Sequence, residues 1–135
     1  MRISAHVANT ATTHELTLRT AGKPQSLAVA AKATGGGSAV NGGEFLMAAL
    51  ATCYCNDLWR EAAARGLELT AVEVEASAEF AAPGLAATDI RYRARIVSSA
   101  SEDQIEALLR ETDAVAEVHN TVRAGVPVVR EPWTD

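Results

Sequence analysis

Between Gly43 and Gly66 the chain runs for about 22 residues without glycine or proline, far above the mean helix length of about 11–12 residues. Within that stretch Leu46, Ala49, Leu50, Cys53, Asp57 and Leu58 recur at helical spacing. The pattern predicts one long helix, stopped by Gly66 as a C′ residue. Phe45 through Ala51 carries no charge, and a helix apolar all round is expected to be buried. Whatever else the chain forms has to fit around that helix.

Three short strands are expected before it. Arg2 to Val7 alternates Ile3, Ala5 and Val7 with polar residues, and His14 to Thr20 repeats the alternation through Leu16 and Leu18. Period two predicts half-buried strands. Ala21-Gly22-Lys23-Pro24 reads as a turn, and Ser26 to Ala31 as a third strand, completing an antiparallel meander. After the helix, Leu69 to Phe80 carries Glu73, Glu75 and Glu79 on one face, and Thr88 to Val97 carries Arg91, Arg93 and Arg95. Opposite charges favour cross-strand pairing, so these strands are expected to form a hairpin turned at Pro83-Gly84. Ser101 and Gln104 have the spacing of a capping box and open a second helix through Ile105, Leu108 and Leu109. A third helix is expected from Thr112-Asp113 to near Gly125, then an edge strand Val126 to Val129 broken by Pro127, then a loose tail from Glu131 to Asp135. The order β-β-β-α-β-β-α-α-β, with strands grouped around helices, indicates an α+β fold. A length of 135 residues fits a single domain, 1–135.

Charge and cysteine content narrow the function. A net charge of -5, with basic residues scattered among acidic ones, argues against nucleic acid, whose phosphates call for clustered Lys and Arg. No apolar run reaches the roughly 20 residues of a membrane span, and Met1 to Asn9 lacks a signal-peptide layout. No membrane partner is therefore expected, and the location expected is cytoplasmic. Two cysteines only two positions apart are no disulfide scaffold.

Those cysteines are the first candidates for chemistry. On a helix, Cys53 and Cys55 point about 200° apart, too divergent for a disulfide. Free cysteine often packs as a small hydrophobe, which is one reading of both. Cys53, however, shares its face with Asn56, Asp57, Arg60 and Glu61, whereas Cys55 sits beside Ala51, Leu58 and Trp59. Cys53 is thus expected at a pocket edge as the reactive thiol, and Cys55 as structural. A reactive thiol needs a stabilising cation. Cys53 lies beyond the first turn, where the helix dipole acts. The cation has to come from elsewhere, with Arg60, Arg2, Arg19, Lys32 and Arg123 as candidates. Glu44 at the helix entrance either complements the helix dipole or serves as an active-site carboxylate. Gly35-Gly36-Gly37 lacks the Gly-Lys-Ser/Thr ending of a phosphate loop and reads as a connector. His6, His14 and His119 have no metal-like spacing with the cysteines; no metal or cofactor is expected, and His119 reads as a surface residue.

The run Asn41-Gly42-Gly43-Glu44-Phe45-Leu46-Met47-Ala48-Ala49-Leu50-Ala51-Thr52-Cys53-Tyr54 resembles the central-helix motif of the OsmC/Ohr superfamily, the osmotically inducible protein C and organic hydroperoxide resistance proteins. The family pattern is Asn-Pro-Glu-x-Leu, small apolar residues, then Ala-Ala-Cys-Phe. Asn41 and Cys53 match at the right separation, and the element order matches along nearly the whole chain. The resemblance implies an intertwined homodimer with active sites at its interface, and thiol peroxidase chemistry through Cys53. The family's glutamate position falls on Gly43, one before Glu44; its second cysteine falls on Ala116; and its arginine has only Lys32, or Arg19 farther off, in its place.

The resulting expectation is a one-cysteine reductase of organic or hydrogen peroxides. Cys53 attacks, Glu44 and Lys32 or Arg19 assist, and an external thiol reductant regenerates the site. The alternative is a non-catalytic relative that binds a small apolar ligand at the dimer interface. A purely structural or partner-binding dimer is the third.

Overall fold

A computed structural model describes residues 1–133, in two compact units, Met1–Phe45 and the residues from Leu46 onward. Of the tail read as loose, Thr134 and Asp135 lie outside the described residues.

The first unit holds the expected meander. Strands β1 (Ile3–Asn9), β2 (His14–Thr20) and β3 (Lys23–Ser26) form an antiparallel sheet in the order β1-β2-β3. The turn is tighter than the sequence suggests. Ala21 and Gly22 both have positive φ, 49° and 82°, and Thr20 pairs with Lys23. That is a two-residue hairpin turn, whose twist suits antiparallel strands. The third strand therefore starts at Lys23 rather than Ser26, and Pro24 is tolerated because β3 is an edge. Leu16 is the one core residue here; every residue of β1 is exposed, because the first unit supplies no second layer over it. The half-buried first strand is thus corrected.

Helix α1 (Gly42–Ala64) opens at the end of the first unit and continues through the second. Its length agrees with the uninterrupted sequence. Its burial does not: Leu50, Tyr54, Asp57, Leu58 and Ala62 are buried, while Ala48 and Ala49 are exposed. The apolar first half is not enclosed as its composition predicts, and burial follows a stripe at three- and four-residue spacing.

In the second unit, β4 (Leu69–Glu79) and β5 (Thr88–Ser98) pair antiparallel, with Glu73 opposite Arg95 and Glu75 opposite Arg93. The acidic and basic faces meet as expected. Arg93 Nη2 lies 2.5 Å from Glu75 Oε2, and Arg95 bonds Glu73. The opposite face, through Val72, Val74, Tyr92, Ala94 and Ile96, packs on a core of Tyr54, Leu58, Ala62, Leu108 and Ala116.

Helix α2 (Glu102–Val115) starts at the predicted capping box, with Ser101 Oγ accepting from the Gln104 amide and Gln104 reaching back to Ser101. It runs past Thr112, which is fully buried within it, so the third helix begins later than expected, as α3 (Glu117–Ala124). Gly125, at φ 60°, closes α3 in the left-handed conformation that glycine adopts without a Cβ clash. The edge strand expected at Val126 to Val129 is absent. The segment is irregular and exposed, Val128 completely, since Pro127 offers no amide and no strand lies alongside to pair it.

Candidate thiol site

Residues four apart on a helix lie on one face, and α1 places Cys53 and Asp57 in that relation. The Cys53 thiol donates to Asp57 Oδ2 at 3.4 Å. Asp57 is only 3 % exposed, and Arg60 Nη1, 2.5 Å from Oδ1, holds its other oxygen. A second carboxylate arrives from α3: the Glu117 carboxylate, the Asp57 carboxylate and Cys53 Sγ lie within 4.8 Å of one another. The backbone of the next residue, Val118, favours charge on the sulfur.

These contacts set the thiol's ionisation. Burial pushes Cys53 up, the Val118 backbone opposes it, and Asp57 and Glu117 push it up again. The net direction is upward, away from the lowered values of reactive cysteines.

Beside this site lies a cluster of rings. Tyr54, Tyr92 and His119 meet with centroids 4.8 Å (Tyr54–Tyr92), 5.6 Å (Tyr54–His119) and 4.5 Å (Tyr92–His119) apart. Tyr54 donates to the Leu109 carbonyl at 2.6 Å. Tyr92 donates to Asp113 Oδ1, which also accepts from Arg123 Nη2 at 2.6 Å. Burial and Asp113 push Tyr92 up to about 12, while Arg123 holds Asp113 below its ordinary value. His119, read from the sequence as a surface residue, is 3 % exposed with both ring nitrogens unpartnered. Burial and Arg123 hold it toward the neutral form.

The other predicted residues have different surroundings. Glu44 forms a capping box with Asn41: its carboxylate accepts from the Asn41 amide at 2.7 Å, and Asn41 Oδ1 accepts from the Glu44 amide at 3.0 Å. Lys32 bonds through its amide to the Gly37 carbonyl at 3.0 Å, with its stem over Gly37. Arg19 lies in β2 between Ser4 and Pro24. All three belong to the first unit, and Cys53 to the second. Cys55 is partly exposed, as Cys53 is. Sequence reasoning missed Glu117 and Val118. The signal available was the α3 start itself, since acidic residues favour first turns.

The first unit also holds a hollow of about 560 Å³ lined by apolar residues including Val7, Leu16, Leu18, Val40 and Phe45. His14 Nε2 and Ser38 Oγ, from two further lining residues, are buried without partners. No helix of the described residues is long and apolar enough to cross a membrane.

Comparison with known proteins gives a consistent result. A family model described as OsmC-like protein matches residues 35–131. No curated protein matches. Among solved structures, an OsmC-like protein from Mycoplasma pneumoniae superposes with a TM-score of 0.63 at 17 % identity, covering 89 % of this chain and 87 % of that one. An organic hydroperoxide resistance protein OsmC from Legionella pneumophila gives 0.58 at 18 %, covering 90 % and 88 %. An organic hydroperoxide resistance protein from Elizabethkingia anophelis, with thiocyanate bound, gives 0.63 at 13 %, covering 91 % and 89 %.

Proposed function

The chain belongs to the OsmC-like protein family, and from that premise we propose that it reduces organic or hydrogen peroxides through Cys53 in a one-cysteine cycle. The observation that carries the reading is the free, half-buried Cys53 thiol on α1 of an OsmC-like chain, with the Val118 backbone among the influences that favour charge on its sulfur. Two of the structural relatives are described as hydroperoxide resistance proteins. In the cycle, Cys53 sulfur attacks the O–O bond. The S–O bond forms, the O–O bond breaks, and the alcohol (or water) departs with the thiol proton, leaving a sulfenic acid. Ala116 stands where the family pattern has a second cysteine. An external thiol therefore condenses with the sulfenic acid, releasing water. A second external thiol displaces the mixed disulfide and restores Cys53.

The proposal includes a cytoplasmic homodimer. The exposed Ala48 and Ala49 on the apolar half of α1, together with the exposed β1 residues Ile3 and Val7, support it, because exposed apolar surface marks contact sites. Lys32 or Arg19, which the resemblance offers in place of the family's arginine, is the assisting cation in this reading. Glu44, which caps the start of α1, is the assisting carboxylate in this reading.

Hydroperoxide consumption with dithiothreitol, native protein against Cys53→Ser, tests the reading. Turnover by the native protein alone supports it; equal inactivity across several peroxides removes it. The second reading, a non-catalytic relative binding a small apolar ligand, draws on the raised thiol and on the hollow in the first unit, whose orphaned His14 and Ser38 atoms suit one polar group on an apolar body. Retention of an apolar fluorescent probe by an inactive protein favours that reading.

A further inference from the structure

We propose that Cys53, Asp57 and Glu117 bind a divalent cation of the zinc class. The donor atoms converge within 4.8 Å, and the Sγ–Oδ2 separation is 3.4 Å. In a tetrahedral zinc site, bonds of about 2.3 Å to sulfur and about 2.0 Å to oxygen give an S···O edge of roughly 3.5 Å. The donors come from two elements that share one core, an i, i+4 pair on α1 and the first residue of α3. Arg60 holds only the far oxygen of Asp57, which leaves Oδ2 directed at the sulfur. The Glu117 carboxylate has no hydrogen bond or ion pair among the described residues.

An independent observation comes from His119. It is 3 % exposed and both ring nitrogens lack partners; it stands two residues after Glu117 on α3, and its ring packs 5.6 Å from that of Tyr54, the residue after Cys53. Buried polar groups are ordinarily satisfied. An unpartnered imidazole on the same short helix as a ligand carboxylate is suited to the outer-shell hydrogen bonding that orients metal ligands. A thiolate with two carboxylates selects zinc-like ions over magnesium or calcium, which take oxygen alone. Three protein donors leave a fourth position open for water or an external ligand. Binding replaces the thiol proton with the metal and releases that proton to solvent, with no change of oxidation state. The inference goes beyond peroxide reduction and does not need it, and a seated ion withholds the nucleophile from that cycle.

Cobalt(II) titrated into the reduced full-length protein is the probe. The expected result is a thiolate-to-cobalt charge-transfer band saturating at one ion per chain, bleached by zinc and unaffected by magnesium. Cys53→Ser abolishes the band, Cys55→Ser leaves it intact, and Glu117→Gln weakens affinity by at least about tenfold. No band in the folded protein overturns the proposal, as does a band that survives Cys53→Ser. Glu117 is exposed, so its variant tests the site even if Asp57→Asn fails to fold; unchanged cobalt affinity in Glu117→Gln also overturns it. Peroxide turnover by chelator-treated protein is read separately, so either idea can fail while the other stands.

Discussion

Ionisation of Cys53 is opposed by burial and by the Asp57 and Glu117 carboxylates, and favoured by the Val118 backbone. Asp57 is the carboxylate whose removal is most informative. Asp57→Asn takes away a negative charge 3.4 Å from the sulfur, so the thiol ionises more readily and more thiolate is present at neutral pH. Iodoacetamide alkylation of Cys53 at pH 7 is expected to be several-fold faster in this variant; a rate equal to or below native contradicts the electrostatic account. The Cys53–Asp57 pair was legible from the sequence, because helical spacing alone puts residues four apart on one face. Glu117 was not, since only tertiary packing brings the start of α3 to the middle of α1. His119 was misread for a related reason. Its neighbours Val118 and Asn120 give no apolar period, and its burial comes from the rings of Tyr54 and Tyr92.

The helices followed their local signals closely and the short strands less so. The Ser101–Gln104 capping box is present as read, because its chemistry is complete within four residues. Ser101→Ala is expected to lower stability by about 1 kcal/mol, seen as a lower urea midpoint with an unchanged slope. Leu108, fully buried in the α2 stripe, is expected to cost about 2–5 kcal/mol as Leu108→Ala in the same experiment. The third strand was displaced because turn geometry, set here by positive φ at Ala21 and Gly22, fixes where pairing resumes. The final strand was overread because alternation in Val126–Val129 shows only that a segment can pair, not that a neighbour is there to receive it.

At the scale of the whole molecule, the fold class and family were legible because the long helix and the charge-matched hairpin leave few arrangements open. The exposed apolar half of α1 was not, because composition reports that a surface is apolar and not which chain covers it. In the proposed homodimer, Ala48→Glu is expected to shift sedimentation from two chains toward one. Acid is expected to weaken the second unit through Asp113. Its carboxyl is lowered in the fold chiefly by Arg123, so the stability it contributes is present above the ordinary carboxylate range. That contribution is lost as pH falls through the lowered value. Asp113→Asn should flatten that part of the stability–pH curve measured by thermal melting. The β4–β5 ladder bears on a different hazard, aggregation. Strands of 11 residues are long templates for adding further copies edge to edge. Stacking identical strands in parallel register would place Glu73 over Glu73 and Arg95 over Arg95, like charge on like. Slipping by one residue would set the apolar face against the charged one. The alternation that builds the hairpin thus also guards it against fibril growth.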